Sequence, residues 1–172
     1  MRPGVRIGVD VGAVRLGIAL SDPAGILATP HATLPARAER LDGAASGTGY
    51  ALAALVDLAR EREVLEVVVG LPRGLSGVEG AAAAAARDFA CELAQRIRPV
   101  PVRLVDERLS TVEAHRALRA SGRPGRRHRE VVDQVAAVTI LQTALELERA
   151  LGSAPGEAVG VRKPRHRKGA LG

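Results

Sequence analysis

The run Val64-Leu65-Glu66-Val67-Val68-Val69-Gly70-Leu71, ended by Pro72, constrains the fold more than any other stretch. Its density of β-branched residues makes it a strand, and segments of helical period flank it. Before it, Tyr50–Glu63 sets Leu52, Leu55, Val56 and Ala59 at helical spacing. After it, the Ala-rich segment Glu79–Ile97 places Ala82, Ala86, Phe89, Ala90 and Leu93 on one side and is stopped by Pro99 and Pro101. Val102–Asp106 is the next short strand. Strands separated by helices pair in parallel, so the middle of the chain is an α/β unit. Tyr50 and Phe89 are the only aromatic residues, so the core must be Val, Leu, Ile and Ala, which suits helices packed on a parallel sheet. The same scarcity argues against single-strand binding on stacked aromatic platforms.

Upstream, residues 5–11 read as a first strand, and Arg15–Ser21 follows a tight turn closely enough to pair as a hairpin. A shorter third strand over Ile26–Leu34 is interrupted by Pro30, and residues 36–48 form a loop. Downstream, Ser110-Thr111-Val112-Glu113 is a capping-box pattern that opens a helix to Ala120. Glu130–Leu151 is the longest helix, ended by Gly152. The fold class is therefore α/β, with a mixed central sheet flanked by helices. The 172 residues read as one domain over 1–151 and a basic tail over 152–172, where Gly, Pro and positive charge predict disorder. A single cysteine, Cys91, rules out a disulfide framework within the chain and fits a reducing, cytoplasmic setting. No signal peptide is visible, and no apolar run is long enough to span a membrane.

Acids stand at three places where they are costly. Asp10 lies within the strand Val5-Arg6-Ile7-Gly8-Val9-Asp10-Val11, followed by Gly12, Arg15 and Gly17. An unpaired buried carboxylate costs several kcal/mol, so Asp10 faces a cation, a partner or a cleft, unless it only caps a turn. Asp106 and Glu107 end the strand that begins at Val102, on the edge where parallel strands gather their C-terminal ends and ligands bind. Asp133 shares a helix face with Ala136, Ala137, Ile140 and Ala144, which is the face turned to the sheet. Three converging carboxylates without His or Cys suit Mg²⁺ or Mn²⁺ rather than zinc, and two such ions stabilise attacking and leaving oxygens in phosphodiester hydrolysis. Each acid also has a plainer role open to it: Asp106 can pair with Arg108, and Asp133 can favour a helix N-terminus.

The net charge of +6 is unevenly placed. Residues 119–129 hold five Arg and no acid, and residues 161–172 hold five Lys or Arg and no acid, leaving the rest of the chain at −4. Such basic runs are natural contacts for a phosphate backbone, or else a solvated loop and tail.

Read in order, Gly8-Val9-Asp10-Val11-Gly12 with Arg15-Leu16-Gly17, Val69-Gly70-Leu71-Pro72 with Gly77, Asp106-Glu107-Arg108-Leu109-Ser110-Thr111, and Val132-Asp133-Gln134-Val135-Ala136-Ala137 with Ile140-Leu141 resemble the YqgF family. Its members are described as Holliday junction resolvases or pre-16S rRNA nucleases, and the match runs from residue 5 to about 150. The resemblance implies an RNase H-like fold and a two-metal nuclease using Mg²⁺ or Mn²⁺, with Asp10, Glu107 and Asp133 as catalytic acids and metal ligands. It implies a nucleic-acid partner, structured RNA such as pre-16S rRNA or branched DNA. The family's basic loop falls on Arg123–Arg129, so Arg123, Arg126, Arg127 and Arg129 join Arg15 and Arg108 as candidate phosphate contacts. The chain is expected to act as a monomer or weak dimer. Ala13, Val14, Ser76 and Ser110 depart from the family pattern without touching a proposed ligand. Two other readings stand beside it. One is an actin-like or sugar-kinase ATPase, which shares the D-x-G hairpin but needs two such domains. The other is a noncatalytic RNA-binding module that uses the arginines alone.

Overall fold

A computed structural model describes residues 2–36, 38–39, 45–46, 49–74, 76–109 and 126–160. Alternation of side chains along the N-terminal strands sets the first layer. In β1 (Arg6–Val11), Ile7 and Val9 point to one face of the sheet and Gly8 to the other. β2 (Arg15–Ser21) folds back antiparallel to β1 with Asp10 opposite Gly17, and β3 (Ala28–Pro35) pairs antiparallel to β2. A two-residue ladder, β4 (Ala38–Glu39) with β5 (Ala45–Ser46), lies within the span expected as loop.

Next come α1 (Gly49–Glu61), β6 (Glu66–Leu71), α2 (Ala81–Arg96) and β7 (Val102–Asp106). Both β6 against β1 and β7 against β6 are parallel, as the strand–helix succession requires. A 3₁₀ turn (Glu107–Leu109) closes β7, and α3 (Arg126–Leu151) covers the face of the sheet opposite α1 and α2. The strand order is β3-β2-β1-β6-β7-β8, the mixed sheet expected from the sequence. Its last strand, β8 (Glu157–Ala158), is antiparallel to β7.

Two expectations are corrected. α3 begins at Arg126 rather than Glu130, so Arg126, Arg127 and Arg129 are helical residues and not loop. The chain beyond Ser153 is not wholly without structure, because Val159 N–H donates to the Val102 carbonyl at 2.9 Å and β8 extends the sheet. An edge strand this short gains little alone, and satisfies backbone groups that β7 would otherwise expose. The expected helix over 110–120, Arg123 and residues 161–172 lie outside the described residues.

Two apolar layers result. Ile7, Val9, Leu16, Ile18, Val67, Val69 and Leu104 meet Leu52, Leu55, Phe89 and Leu93 of α1 and α2. On the other side, Ala19, Val68 and Val105 meet Ala137, Ile140, Leu141, Ala144 and Leu145 of α3. The second layer is thin because α3 sits close to the sheet. A Cβ at Gly8 would stand 2.6 Å from Leu141 Cβ and 2.9 Å from the Ala137 carbonyl oxygen, closer than packed atoms approach. Gly8→Ala is therefore expected to destabilise the protein by about 1–3 kcal/mol, the usual cost of overpacking, read as a lower urea midpoint at unchanged slope.

At the far end of α3 the same layer buries charge. Arg6, Glu66 and Glu148 are at most 2% exposed. Arg6 Nη2 donates to Glu148 Oε2 at 2.9 Å, and Arg6 Nε to Glu66 Oε1 at 3.2 Å. Arg2 closes the group from outside, donating to Glu66 at 2.8 Å and to Glu148 at 2.9 Å. Burial by itself pushes the Glu148 carboxyl up. Hydrogen bonds from the Arg2 side chain and backbone, with the charges of Arg6 and Arg2, outweigh it and hold the group at about 2, against an ordinary 4.5. A carboxyl depressed on folding stabilises above its unfolded value, and that contribution is lost as pH falls through the folded value. Stability is expected to drop between pH 4.5 and about 2 by on the order of 3 kcal/mol from this group. Tm followed against pH checks this, and Glu148→Gln should reduce the slope in that window.

Candidate active site

Asp10 is the centre of the candidate site, and both of its neighbours in the sheet are glycines. On one side it pairs with Gly17. On the other, Val9 pairs with Val69, so the next residue, Gly70, lies alongside Asp10. Asp10 is two residues from Gly8, so it shares the face that α3 covers. The space that side chains at 17 and 70 would fill is taken by the other two acids. The backbone carbonyl of Asp133 lies against Gly17 so tightly that a Cβ there would collide with it. A Cβ at Gly70 would come within 2.8 Å of Glu107 Oε1 and 2.5 Å of Ile140 Cδ1. The three acids proposed from sequence therefore come to one end of the sheet, around the end of β1, with α3 carrying one and the end of β7 another.

Their states differ. Glu107 is 6% exposed and opens the 3₁₀ turn after β7. Asp133 is half-buried, and its Oδ2 accepts a hydrogen bond from Arg15 Nε at 3.0 Å. Arg15 therefore neutralises an acid of the candidate site directly. Among the described residues, no three His, Cys, Asp or Glu side chains stand as a ready ligand group. The acids that approach this end offer oxygen donors without His or Cys, the donor type that a hard cation takes.

Asp106 has a distinct task. Its Oδ1 accepts from Arg108 N–H at 3.0 Å, capping the turn that begins with Glu107. Its Oδ2 accepts from Arg108 Nη2 at 2.7 Å, and Arg73 Nη1 approaches to 3.6 Å. The hydrogen bond from Arg108 leads the causes that hold this carboxyl below its ordinary value, against burial, which raises it. For Arg108, the pairing with Asp106 that the sequence left open is the one realised.

Sequence reasoning missed the loop that braces this end. Arg73, just after Pro72, donates to Glu79 at 2.9 Å; Arg87 of α2 holds Glu79 at 2.7 Å and Glu157 at 2.9 Å. Arg87 and Arg73 hold the Glu79 carboxyl at about 2 despite its partial desolvation. The chain of ion pairs ties β8, α2, the loop after β6 and the end of β7 to one another. No spacing rule connects residues 73, 79, 87 and 157 with one another or with Asp106, so nothing in the sequence singled out those four.

Asp106→Ala is expected to cost about 1–2 kcal/mol, because both the cap and the guanidinium pairs are lost. Asp106→Asn, which keeps the cap acceptor, should cost less. Urea unfolding of the two variants separates the contributions.

A mixed sheet in this order, with helices on both faces and acids at the end of its first strand, defines an RNase H-like protein. The structure of Thermus thermophilus RuvC in complex with a Holliday junction substrate has the same fold, with a TM-score of 0.54 at 15% identity, covering 88% of this chain and 98% of that one. The chain belongs to the RuvX family, whose model, described as Holliday junction resolvase, matches residues 4–147; this is the YqgF family that the motifs resemble. A Nocardioides protein named "Putative pre-16S rRNA nuclease" is 58% identical over 159 residues, covering 92% of this chain and 98% of the relative. A Streptomyces avermitilis protein of the same name is 55% identical over 161 residues, covering 94% and 97%. No helix among the described residues is long and apolar enough to cross a membrane.

Proposed function

We propose that this protein is a divalent-metal-dependent nuclease that hydrolyses phosphodiester bonds near the 5′ end of pre-16S rRNA, in the cytoplasm. The observation that carries the reading is the placement of Glu107 and Asp133 over the two glycines that flank Asp10. Names borne by relatives more than 50% identical over nearly their whole length support the substrate.

Asp10, Glu107 and Asp133 would hold Mg²⁺ or Mn²⁺. A bound ion of this kind supplies a more acidic water as nucleophile and charge stabilisation at the phosphoryl oxygens. The remaining work falls to the chain. Burial of Glu107 beside Gly70 fixes its carboxylate in a site from which competing water is largely excluded. Arg15 and Arg108 carry positive charge already placed on acids of this edge, at 3.0 and 2.7 Å. An incoming phosphate can take over either guanidinium, and transfer of Arg15 would release Asp133 to the metal as substrate arrives. Arg126, Arg127 and Arg129, at the start of α3, and Arg123 before it would extend the contact along the phosphate backbone.

A second reading, cleavage of four-way DNA junctions, is favoured by the family description and by the RuvC fold. Labelled pre-16S rRNA and a synthetic junction, incubated with the protein and Mn²⁺ or Mg²⁺, discriminate the two. Asp10→Asn is expected to abolish cleavage, by at least about 100-fold in kcat, with Tm nearly unchanged. Normal cutting by that variant would reject the metal assignment. Cutting of the junction alone would select the second reading, and binding without cleavage would leave an RNA-binding protein.

A further inference from the structure

We propose that the buried charges Arg6, Glu66 and Glu148 are positioning residues for Asp133. They set how far along the sheet α3 lies, and thereby the place of Asp133 beside Asp10. The catalytic consequence rests on the nuclease reading above; the structural content does not.

The contact between α3 and the sheet is made of small and smooth surfaces. Ala136, Ala137, Ile140, Leu141, Ala144 and Leu145 face Ala19, Val68, Val105 and the open backbone at Gly8 and Gly70. Burial of this kind is non-directional, so it specifies axial position less sharply than paired charges do. The glycines determine how near the helix comes, and do much less to determine its axial position.

The charges behave differently. Arg6 sits on β1, Glu66 beside it on β6 in direct register, and Glu148 on α3, so three separate elements meet in one buried group. Arg6 Nη2 reaches both oxygens of Glu148, at 3.1 and 2.9 Å, while its Nη1 donates to the Gly4 carbonyl at 2.9 Å. A slip of α3 by one turn, about 5.4 Å, would carry Glu148 away from Arg6 and Arg2 and leave a buried carboxylate unpaired, while Arg6 and Glu66 keep each other across the two strands. Apolar contact does not discriminate in that way. The polar tie from Gln142 to Ala28 N–H at 2.9 Å is neutral and lies nearer the surface, so it adds to the lock without replacing it. Buried ion pairs often contribute little net stability against apolar substitutes, and their best-attested use is to fix register.

Glu148 and Asp133 lie fifteen residues apart on the same helix, about 22 Å along its axis. A rigid helix transmits its axial position from one to the other. Ligand atoms of a metal site tolerate only a few tenths of an ångström, and a displacement of about 1 Å costs on the order of 100-fold in rate.

The test uses the full chain in two forms. One carries Arg6→Met, Glu66→Leu and Glu148→Leu together, removing all three buried charges; the other carries Glu148→Gln alone. On whichever substrate the wild type cuts, both variants are expected to fold cooperatively. They should lose about 10- to 100-fold in kcat, keep KM within about twofold, and need more Mn²⁺ for half-maximal rate. Crystal structures of the variants should show the Asp133 carbonyl moved from Gly17. Wild-type kcat and Mn²⁺ dependence in a folded variant overturn the proposal, as does a variant structure with the Asp133–Gly17 contact intact. Failure of both variants to fold overturns it as well, because the network would then be a stability element. Absence of cleavage by the wild type counts against the nuclease reading alone, and the variant structures then decide the register question.

Discussion

The close approach of α3 to the sheet is the constraint on which the rest of this structure depends. It is possible because Gly8, Gly17 and Gly70 present bare backbone to the helix, where a Cβ would meet Leu141, Asp133 or Ile140. That approach lets a small aliphatic face exclude water without large aromatic side chains, in a chain with a single Phe and a single Tyr. The same nearness brings Asp133 over Gly17, and the gap at Gly70 admits the Glu107 carboxylate beside Asp10. Packing of the core and assembly of the candidate site are thus one event.

Charge is handled oppositely at the two ends of the α3 layer. At the N-terminal end of β1 and β6, acids and arginines are paired and almost fully buried. At the other end Glu107 is buried but Asp10, Asp106 and Asp133 are partly open, and the arginines paired there, Arg15 and Arg108, lie within reach of solvent. A guanidinium at the surface exchanges one anion for another easily, whereas one in the interior does not. The first end suits a fixed reference point and the second a site that must receive a polyanion.

Much of this is legible in the sequence. The β-branched run at 64–71 with helices on either side implied parallel pairing, and the spacing around Asp10 implied a hairpin; both are present in the sheet order. The misplacement of Asp133 on the sheet-facing stripe of a helix flagged it. Glu148 sits four residues beyond Ala144 on that same stripe, so the same signal was available there, and only its partners Arg6 and Glu66 were beyond reach. The start of α3 was read four residues late because five arginines in eleven residues suggest a loop, although Arg is itself a good helix former.

The sequence by itself determined the fold class and, through its motifs, the family, and it nominated three acids for the candidate site, because periodicity and local spacing are properties of neighbouring residues along the chain. Tertiary structure decided which charges neutralise which. Arg15 with Asp133, Arg6 with Glu148 and Arg87 with Glu157 are separated by 118, 142 and 70 residues. The energy of an ion pair depends on distance in space and on exclusion of water, and both are decided only when the helices close on the sheet.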